Sequence, residues 1–294
     1  MLHQMIRPAA VRYAESVPGQ KTGEYSVVPI RQVLGRDIIP RVVTGLIGVP
    51  IILFLTYVGA PLFNLGASLL GLLGGLELAH MIRPAQPLMT LLVTVAIVMI
   101  ATAVWSNMLP IALVVLLVFV IVGLIDSIRQ RRNFLRDYSY ALGGALYVGL
   151  SMGLLSLIRA DANGMLLIYM LLINNWFTDS FAMIGGRLWG KHKLAPTISP
   201  AKTIEGAAFG MTMGFIGGFT LGLAGGLPLR TALVANIFVA IATLAGDLIE
   251  SLVKRHLHVK DSGSILPGHG GILDRVDGTL LAAPTLFLVL TLLG

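Results

Sequence analysis

Cysteine is absent from the chain, and charged residues make up only 12% of its 294 positions. The lack of thiols excludes disulfide bonds, thiol catalysis and Cys-ligated metals. In soluble domains about a quarter of the residues are charged, whereas this chain is 56% hydrophobic and has a mean hydropathy of +0.86. The composition therefore predicts a polytopic membrane protein.

Apolar runs recur along the chain at close to the length of a membrane-crossing helix, about 17 to 25 residues. The runs are continuous and lack the alternation of outer-membrane barrel strands, so we expect helices. The sequence predicts an all-α polytopic membrane protein with about nine transmembrane helices. The spans lie near residues 42–59, 61–79, 87–104, 109–125, 139–158, 164–184, 206–227, 231–249 and 279–293.

Basic residues are distributed unevenly between these spans. With the N-terminus inside, all of the 21 Lys and Arg residues except Arg159 and Arg230 fall on one side, as the positive-inside rule predicts. We therefore expect a cytoplasmic N-terminal tail in residues 1–40 and N-terminal transmembrane helices in 41–138. A C-terminal catalytic region would follow in 139–294, with cytoplasmic loops at 185–205 and 250–278.

The net charge of +7 does not require a nucleic-acid partner, because basic loops facing anionic lipid headgroups account for it. Residues 1–40 contain no apolar stretch of the kind that a signal peptide needs. We therefore expect the first span itself to direct membrane insertion and the tail to be loose or to lie on the surface.

Three carboxylates fall at or near membrane depth, where an unpaired charge costs several kcal/mol. Glu77 ends the second predicted span, and its long side chain is expected to reach the headgroups. Asp179 and Asp247 lie at helix ends that lead into the two basic, glycine-containing loops, which favours a role facing a ligand or a metal. Glu250 and Ser251 share a helix face with Asp247, and such a face offers oxygen ligands to a hard cation.

The loop at 185–205 combines glycines, cations and hydroxyls that suit a phosphate pocket. Its candidate binding residues are Lys193, Ser199, Lys202 and Thr203. No Gly-x-x-x-x-Gly-Lys-Ser/Thr sequence is present, so it is not a P-loop. Ordinary cations beside the membrane explain this loop nearly as well.

The segment 250–278 mixes carboxylates and cations with a glycine run whose amides suit an anion. Its candidates are Ser251, Lys254, Arg255, Lys260, Asp261, His269, Gly270, Gly271, Asp274, Arg275 and Asp277. Mg²⁺ is bound through one or two carboxylates plus phosphate oxygens, which fits Asp247 and Asp274 converging from opposite ends. Zinc is not expected, because thiols and a helical His-x-x-x-His pair are missing.

In order and spacing, this segment resembles the phosphatidate cytidylyltransferases, also called CDP-diacylglycerol synthases. The resemblance rests on Ser251-x-x-Lys254-Arg255, Lys260-Asp261-Ser262-Gly263, Leu266-Pro267-Gly268-His269-Gly270-Gly271 and Leu273-Asp274-Arg275-Val276-Asp277. Upstream, Gly246-Asp247-Leu248-x-Glu250-Ser251 and the run from Lys191 to Thr203 also match, so the resemblance covers roughly the last third to two fifths of the chain. Ala201, Ile204 and the Ser180-Phe181 pair depart from the family pattern, but none of them replaces a charged candidate.

The resemblance implies transfer of the cytidylyl group of CTP to phosphatidic acid. It implies Mg²⁺ as the cofactor and leaves open whether a second cation is bound. It further implies a homodimer, membrane lipids as partners, and a place in the bacterial inner (plasma) membrane. The catalytic candidates are then Asp247, Lys254, Arg255, Asp274, Arg275 and His269. Asp247 and Asp274 are the expected main metal ligands, and Asp277 and Asp179 are expected to be secondary ligands or to orient the main ones. His269 could act as a general acid or as a neutral hydrogen-bonding group.

Two alternatives stay open at this point. A sister enzyme could use the same site on another lipid phosphate, such as an ether lipid or a polyprenyl acceptor. A cation-coupled transporter could use Asp179 and Asp247 as its coupling site, but that leaves the clustered loop residues unexplained.

Overall fold

The computed structural model describes residues 30–82, 134–263, 265 and 270–293, with six positions between 114 and 125. Seven helices are described, namely α1 (Ile30–Val58), α2 (Ala60–Ile82), α3 (Phe134–Ala160), α4 (Gly164–Trp189), α5 (Ile204–Ala224), α6 (Leu229–His256) and α7 (Leu273–Leu293). Two strands, β1 (Lys193–Ala195) and β2 (Ser199–Thr203), form an antiparallel hairpin between α4 and α5. The predicted span at 87–104, most of the span at 109–125, and residues 1–29 of the tail lie outside the described residues.

Helices α2, α4, α5, α6 and α7 are each long and apolar enough to cross a membrane. Helices α1 and α3 contain the shorter apolar stretches Val43–Val58 and Leu146–Ala160. The prediction of a helical membrane protein is therefore confirmed. The count of about nine spans and the inward N-terminus stay predictions.

Several helix boundaries differ from the predicted spans. Helix α1 begins at Ile30, within the segment expected to be a loose tail, and α6 continues to His256 rather than ending at residue 249. Helix α7 begins at Leu273, which gives it 21 residues instead of the short span expected. Hydropathy marks the lipid-facing part of a helix, whereas backbone hydrogen bonding carries the helix on into polar surroundings. The hairpin was not predicted, because its strands have only three and five residues.

Glycines at every fourth position of α5 allow it to pack closely against its neighbours. Buried glycines form this stripe at Gly206, Gly210, Gly214, Gly218 and Gly222. A Cβ on Gly210 would meet the carbonyl oxygen of Thr178 in α4, and one on Gly214 would meet the hydroxyl of the same residue. Such small-residue stripes let membrane helices approach backbone to backbone. Helix α4, which carries Asp179, is thereby held firmly.

Amide side chains in the middle of the bundle connect α4 to α6 and α7. The Asn174 Nδ2 atom donates to the carbonyl and to the side-chain oxygen of Asn236, each at 3.0 Å. Asn175 donates to the Thr279 hydroxyl at 2.9 Å and accepts a hydrogen bond from Thr243. These buried groups satisfy one another, so the two asparagines that precede Asp179 are structural.

Candidate functional site

Lys202 of β2 and Asp247 of α6 form an ion pair at one end of the bundle. About a quarter of each side chain is exposed, 23% for Lys202 and 27% for Asp247. Ser251, one turn later in α6, donates from its hydroxyl to Asp247 Oδ1 at 3.4 Å. Three residues that were predicted to bind substrate or metal therefore meet in the structure, and they come from two separate elements.

Lys254 lies between two carboxylates. Its ammonium is 2.6 Å from Asp274 Oδ1 and 3.1 Å from Glu250 Oε1, and only 14% of its side chain is exposed. The other oxygen of Asp274 accepts hydrogen bonds from the backbone amides of Ser262, at 3.0 Å, and Gly271, at 2.9 Å. Asp274 therefore holds both the lysine and the two ends of the loop that precedes α7.

The carboxylates of Asp179, Asp247 and Asp277 lie close enough for their charges to repel one another. The positive charges of Lys202 and Arg275 offset this repulsion at Asp179. Asp179 and Arg275 are exposed, whereas Asp247 and Asp277 are half-buried. The bundle end thus brings three carboxyl groups together with cationic side chains, and a bound cation would reduce the repulsion among the carboxylates.

Close contact between α6 and α7 brings Asp247 and Asp277 to the same level. A Cβ on Gly246 would lie 2.6 Å from the carbonyl oxygen of Asp277, and one on Gly278 would lie 2.9 Å from the methyl group of Thr243. Glycine at both positions lets the two backbones approach. Glycine precedes Asp247 in the sequence because a larger residue at position 246 would collide with the backbone of α7.

The carboxylates fit a metal that is shared with a phosphate better than one enclosed by protein alone. Within residues 30–82, 134–263 and 270–293, no group of three or more His, Asp or Glu side chains is positioned to hold a metal ion. Mg²⁺ commonly takes one or two carboxylates and completes its shell with water and phosphate oxygens. The donor chemistry of Asp179, Asp247 and Asp277 fits that pattern.

Glu205 closes the connection between α4 and the hairpin. Its carboxylate accepts hydrogen bonds from the amide of Lys191 at 3.0 Å and from the His192 ring nitrogen Nδ1 at 2.6 Å. Thr203 caps α5, because its hydroxyl accepts from the amide of Gly206 at 3.2 Å. The hairpin that presents Lys202 is therefore fixed at its base on both sides.

Arg255 connects the far end of the hairpin to α6, donating from Nε to the carbonyl of Ile198 at 3.3 Å. Lys193 pairs with Thr203 in the strand register and is exposed, and Ser199 is half-buried opposite Ala195. The roles of Lys193, Ser199 and Thr203 in substrate binding stay predictions.

The polar segment before α7 is described only in part. Lys260 and Asp261 are exposed, and His269 lies outside the described residues. Gly270 has φ +77°, a conformation that favours glycine, and a Cβ there would lie 2.7 Å from Asp274 Oδ2. The glycine thus allows the loop to close onto the Asp274 carboxylate.

The expectation that Glu77 reaches the headgroups is wrong. Its side chain in α2 is buried, with 5% of the residue exposed. It accepts hydrogen bonds from the Ser262 hydroxyl at 3.0 Å and from the amides of Ile272 and Leu273, both at 2.9 Å. In the sequence, the Ser-Gly and Gly-Gly pairs of the loop indicated tight backbone turns. No pattern identified Glu77 as the carboxylate that accepts the hydrogen bonds of this loop.

Glu250 is a second buried carboxylate, to which the sequence assigned no role beyond the helix face that it shares with Asp247. It is 3% exposed, and neither of its oxygens accepts a hydrogen bond, although Lys254 lies at ion-pair distance. Its place on the helix face of Asp247 was the available signal. Glu250 therefore places a second carboxyl group beside the Lys254 ammonium, in addition to that of Asp274.

Comparison with known proteins extends the similarity beyond the polar segments. Residues 39–293 match the model of the cytidylyltransferase family. The chain belongs to the cytidylyltransferase family. Three proteins named phosphatidate cytidylyltransferase are similar to this family member. The one from Bacillus subtilis is 32% identical over 272 residues, covering 87% of this chain and 98% of the relative.

The other two relatives come from staphylococci. The Staphylococcus haemolyticus protein is 34% identical over 265 residues, covering 85% of this chain and 98% of its own. The Staphylococcus saprophyticus protein is 37% identical over 188 residues, covering 63% of this chain and 71% of its own. The predicted family resemblance is confirmed. The family match also includes α2 and therefore Glu77, which lies outside every motif that suggested the cytidylyltransferase family.

Proposed function

We propose that this protein is a phosphatidate cytidylyltransferase, which converts CTP and phosphatidic acid to CDP-diacylglycerol and pyrophosphate. One structural observation carries the proposal: paired lysines and carboxylates meet at one end of membrane-crossing helices. A lipid phosphate at the membrane interface and a nucleotide from the aqueous phase can both reach such a place. The three relatives named phosphatidate cytidylyltransferase support this reaction over transport or another lipid acceptor.

In this reaction a phosphate oxygen of phosphatidic acid attacks the α-phosphorus of CTP. A new P–O bond forms, the bond to the β-phosphate oxygen breaks, and pyrophosphate leaves with that electron pair. The protein need not supply a covalent nucleophile, because the lipid phosphate is one. Its contribution is alignment and neutralisation of negative charge.

Lys202 and Lys254 are the cations best placed to receive the phosphates. Each is paired with a carboxylate, Asp247 and Asp274 respectively, so each ammonium is already oriented before substrate arrives. Arg275, whose charge acts on Asp179, adds a third positive group. Arg255, which donates to a hairpin carbonyl, steadies the strand that carries Lys202.

We propose Mg²⁺ as the cofactor, held by Asp247 and Asp277 with Asp179 beside them. When bound, Mg²⁺ supplies positive charge that screens the phosphate oxygens from one another. The assignment of Asp274 as a metal ligand stays a prediction, because its oxygens accept three hydrogen bonds within the protein. The carboxylate repulsion among the three other aspartates supports their preference for a cation. A second cation would bind to the same carboxylates.

We further propose that the site faces the cytoplasm in a bacterial plasma membrane, with the N-terminus on the same side and about nine spans in all. The asymmetric distribution of Lys and Arg supports this orientation. A homodimer in the membrane lipid follows from the family resemblance. In this cysteine-free chain, the single variant Arg230→Cys should react with an impermeant thiol reagent in intact spheroplasts, whereas Lys193→Cys should react only after the membrane has been opened.

The decisive experiment incubates the purified protein in lipid nanodiscs with labelled CTP, Mg²⁺ and phosphatidic acid. CDP-diacylglycerol and pyrophosphate should appear in equal amounts. Polyprenyl phosphate and an ether-lipid phosphate serve as competing acceptors. Product with either of these but not with phosphatidic acid would assign a different acceptor, and no product with any acceptor would overturn the proposal.

A further inference from the structure

Glu77 reaches from α2 into the segment that precedes α7. Its two carboxylate oxygens accept from two consecutive amides, those of Ile272 and Leu273, and from the Ser262 hydroxyl. These amides belong to the N-terminal end of α7, where unpaired N–H groups favour a negative charge. A helix in the first third of the chain therefore supplies the acceptor for the start of the last described helix.

Both ends of the loop between Gly263 and Gly271 lie against this one carboxylate. A Cβ on Gly263 would lie 2.6 Å from Glu77 Oε1, and a Cβ on Gly271 would meet Glu77 Oε2 and the Ser262 hydroxyl. Neither position has room for a side chain while Glu77 is in place. The carboxylate thus draws the entry and the exit of the loop together.

Ser262 connects Glu77 to Asp274. Its hydroxyl donates to Glu77 Oε2 at 3.0 Å and accepts from the amide of Asp274 at 3.3 Å. Its own amide donates to Asp274 Oδ2 at 3.0 Å. Asp274 in turn accepts from Lys254 at 2.6 Å. A continuous chain of contacts therefore runs from Glu77 through Ser262 and Asp274 to the Lys254 ammonium.

We propose that Glu77 is a positioning residue for cytidylyl transfer, which holds the two ends of the 263–271 loop together and orients Asp274 and Lys254. The proposal rests on the proposed function, because Asp274 and Lys254 are assigned to that reaction. In the described part of the chain, the hydrogen bonds of the Glu77 carboxylate go to Ser262 and to the start of α7. Its effect on the reaction passes through Ser262 and the two amides, which distinguishes it from a group that contacts phosphate.

The test uses the full chain in nanodiscs with the variants Glu77→Gln, Ser262→Ala and the double variant. Glutamine keeps the shape of the side chain but replaces one acceptor oxygen with an NH₂ group that faces donors. Each single variant should lower kcat by about 10-fold to 100-fold, since small misplacements of reacting groups have effects of that size. The double variant should fall little below the worse single variant, because both remove the same connection.

Ser156→Ala is the matched control for the loss of a buried hydroxyl. Ser156 donates only to the Met152 carbonyl at 3.1 Å within α3, so kcat should stay at the wild-type value. Glu77→Asp is a further comparison, because the shorter side chain keeps the charge but withdraws the oxygens from the amides. It should retain less activity than wild type.

Hydrogen exchange measured without substrates gives a readout that does not depend on activity. In Glu77→Gln, the peptide covering residues 262–273 should exchange faster, while peptides from α4 and α5 should be unchanged. A merely structural role would instead raise exchange throughout the bundle and lower the thermal midpoint.

Wild-type kcat in Glu77→Gln, or losses that multiply in the double variant, would overturn the positioning role. If Glu77→Gln does not accumulate in the membrane, Ser262→Ala alone decides, and wild-type kcat with unchanged loop exchange overturns the proposal. An inactive wild-type protein would refute the proposed function instead, while exchange would still test whether Glu77 holds the loop.

Discussion

Lys202 and Asp247 pair across 45 positions of sequence, joining the hairpin to α6. Neither residue is deeply buried, since 23% and 27% of their side chains are exposed. An ion pair with this exposure contributes little to stability. Its value is therefore expected in the reaction, where both charges can turn toward a substrate phosphate and a cation.

Asp247→Asn should lower Mg²⁺-dependent turnover by about 100-fold or more, since it removes a charge from the group of aspartates proposed to hold the metal. The thermal midpoint should change little, because about a quarter of each side chain in the pair with Lys202 is exposed to solvent. Steady-state formation of CDP-diacylglycerol measures the effect. Arg230→Ala, an exposed residue at the beginning of α6, is the control and should keep wild-type turnover. Near-normal activity of Asp247→Asn would contradict the metal assignment.

Lys254→Met should both inactivate and destabilise the protein. It leaves Glu250 buried without its ion-pair partner, and breaking such a buried pair costs about 3–5 kcal/mol. The double variant Lys254→Met/Glu250→Gln should recover part of the thermal midpoint, because Asp274 still lacks its lysine partner, but none of the turnover. Recovery of activity together with stability would mean that Lys254 acts only in folding.

Gly214→Ala should lower the thermal midpoint, because the added Cβ meets the Thr178 hydroxyl. Overpacking of this kind costs about 1–3 kcal/mol. Gly143→Ala in α3 is the matched control, since a Cβ there has no atom within 4 Å in the described part of the chain. Equal midpoints for the two variants would show that the close approach of α4 and α5 does not limit stability.

Mg²⁺ alone should stabilise the protein only weakly, whereas Mg²⁺ with CTP should raise the thermal midpoint strongly. The reason is that no group of three carboxylate or imidazole side chains in the described ranges is positioned to hold a metal by itself. A ligand that binds only the folded state stabilises it according to its affinity. Thermal shifts with Mg²⁺, CTP, both, and both plus chelator separate the cases. A large shift with micromolar Mg²⁺ alone would point to an enclosed metal site.

The sequence alone predicted that Lys202, Asp247, Lys254 and Asp274 would lie near one another. Charged groups in so apolar a chain are expected at helix ends and in loops, and the positive-inside pattern predicts that these loops lie on one side of the membrane. The order of the motifs then indicated the family. The particular pairs could not be predicted, because opposite charges at one bundle end have several possible partners.

Glu77 shows why other features of the site were missed. Its partners include the amides of Ile272 and Leu273, which lie 195 and 196 positions away. Backbone donors look the same at every residue, so no side-chain pattern marks the two that need an acceptor. A glutamate at the end of a membrane span usually reaches the headgroups or water, and the sequence offered no reason to expect otherwise for Glu77.

The distance in sequence between Glu77 and its donors also orders the events of synthesis. Helix α2 leaves the ribosome long before residues 272 and 273 exist, so the Glu77 carboxylate meets these partners only after 195 further residues have been made. The loop that Glu77 holds is therefore completed late in translation. A nascent chain that stops before α7 would occupy the membrane without an assembled catalytic centre.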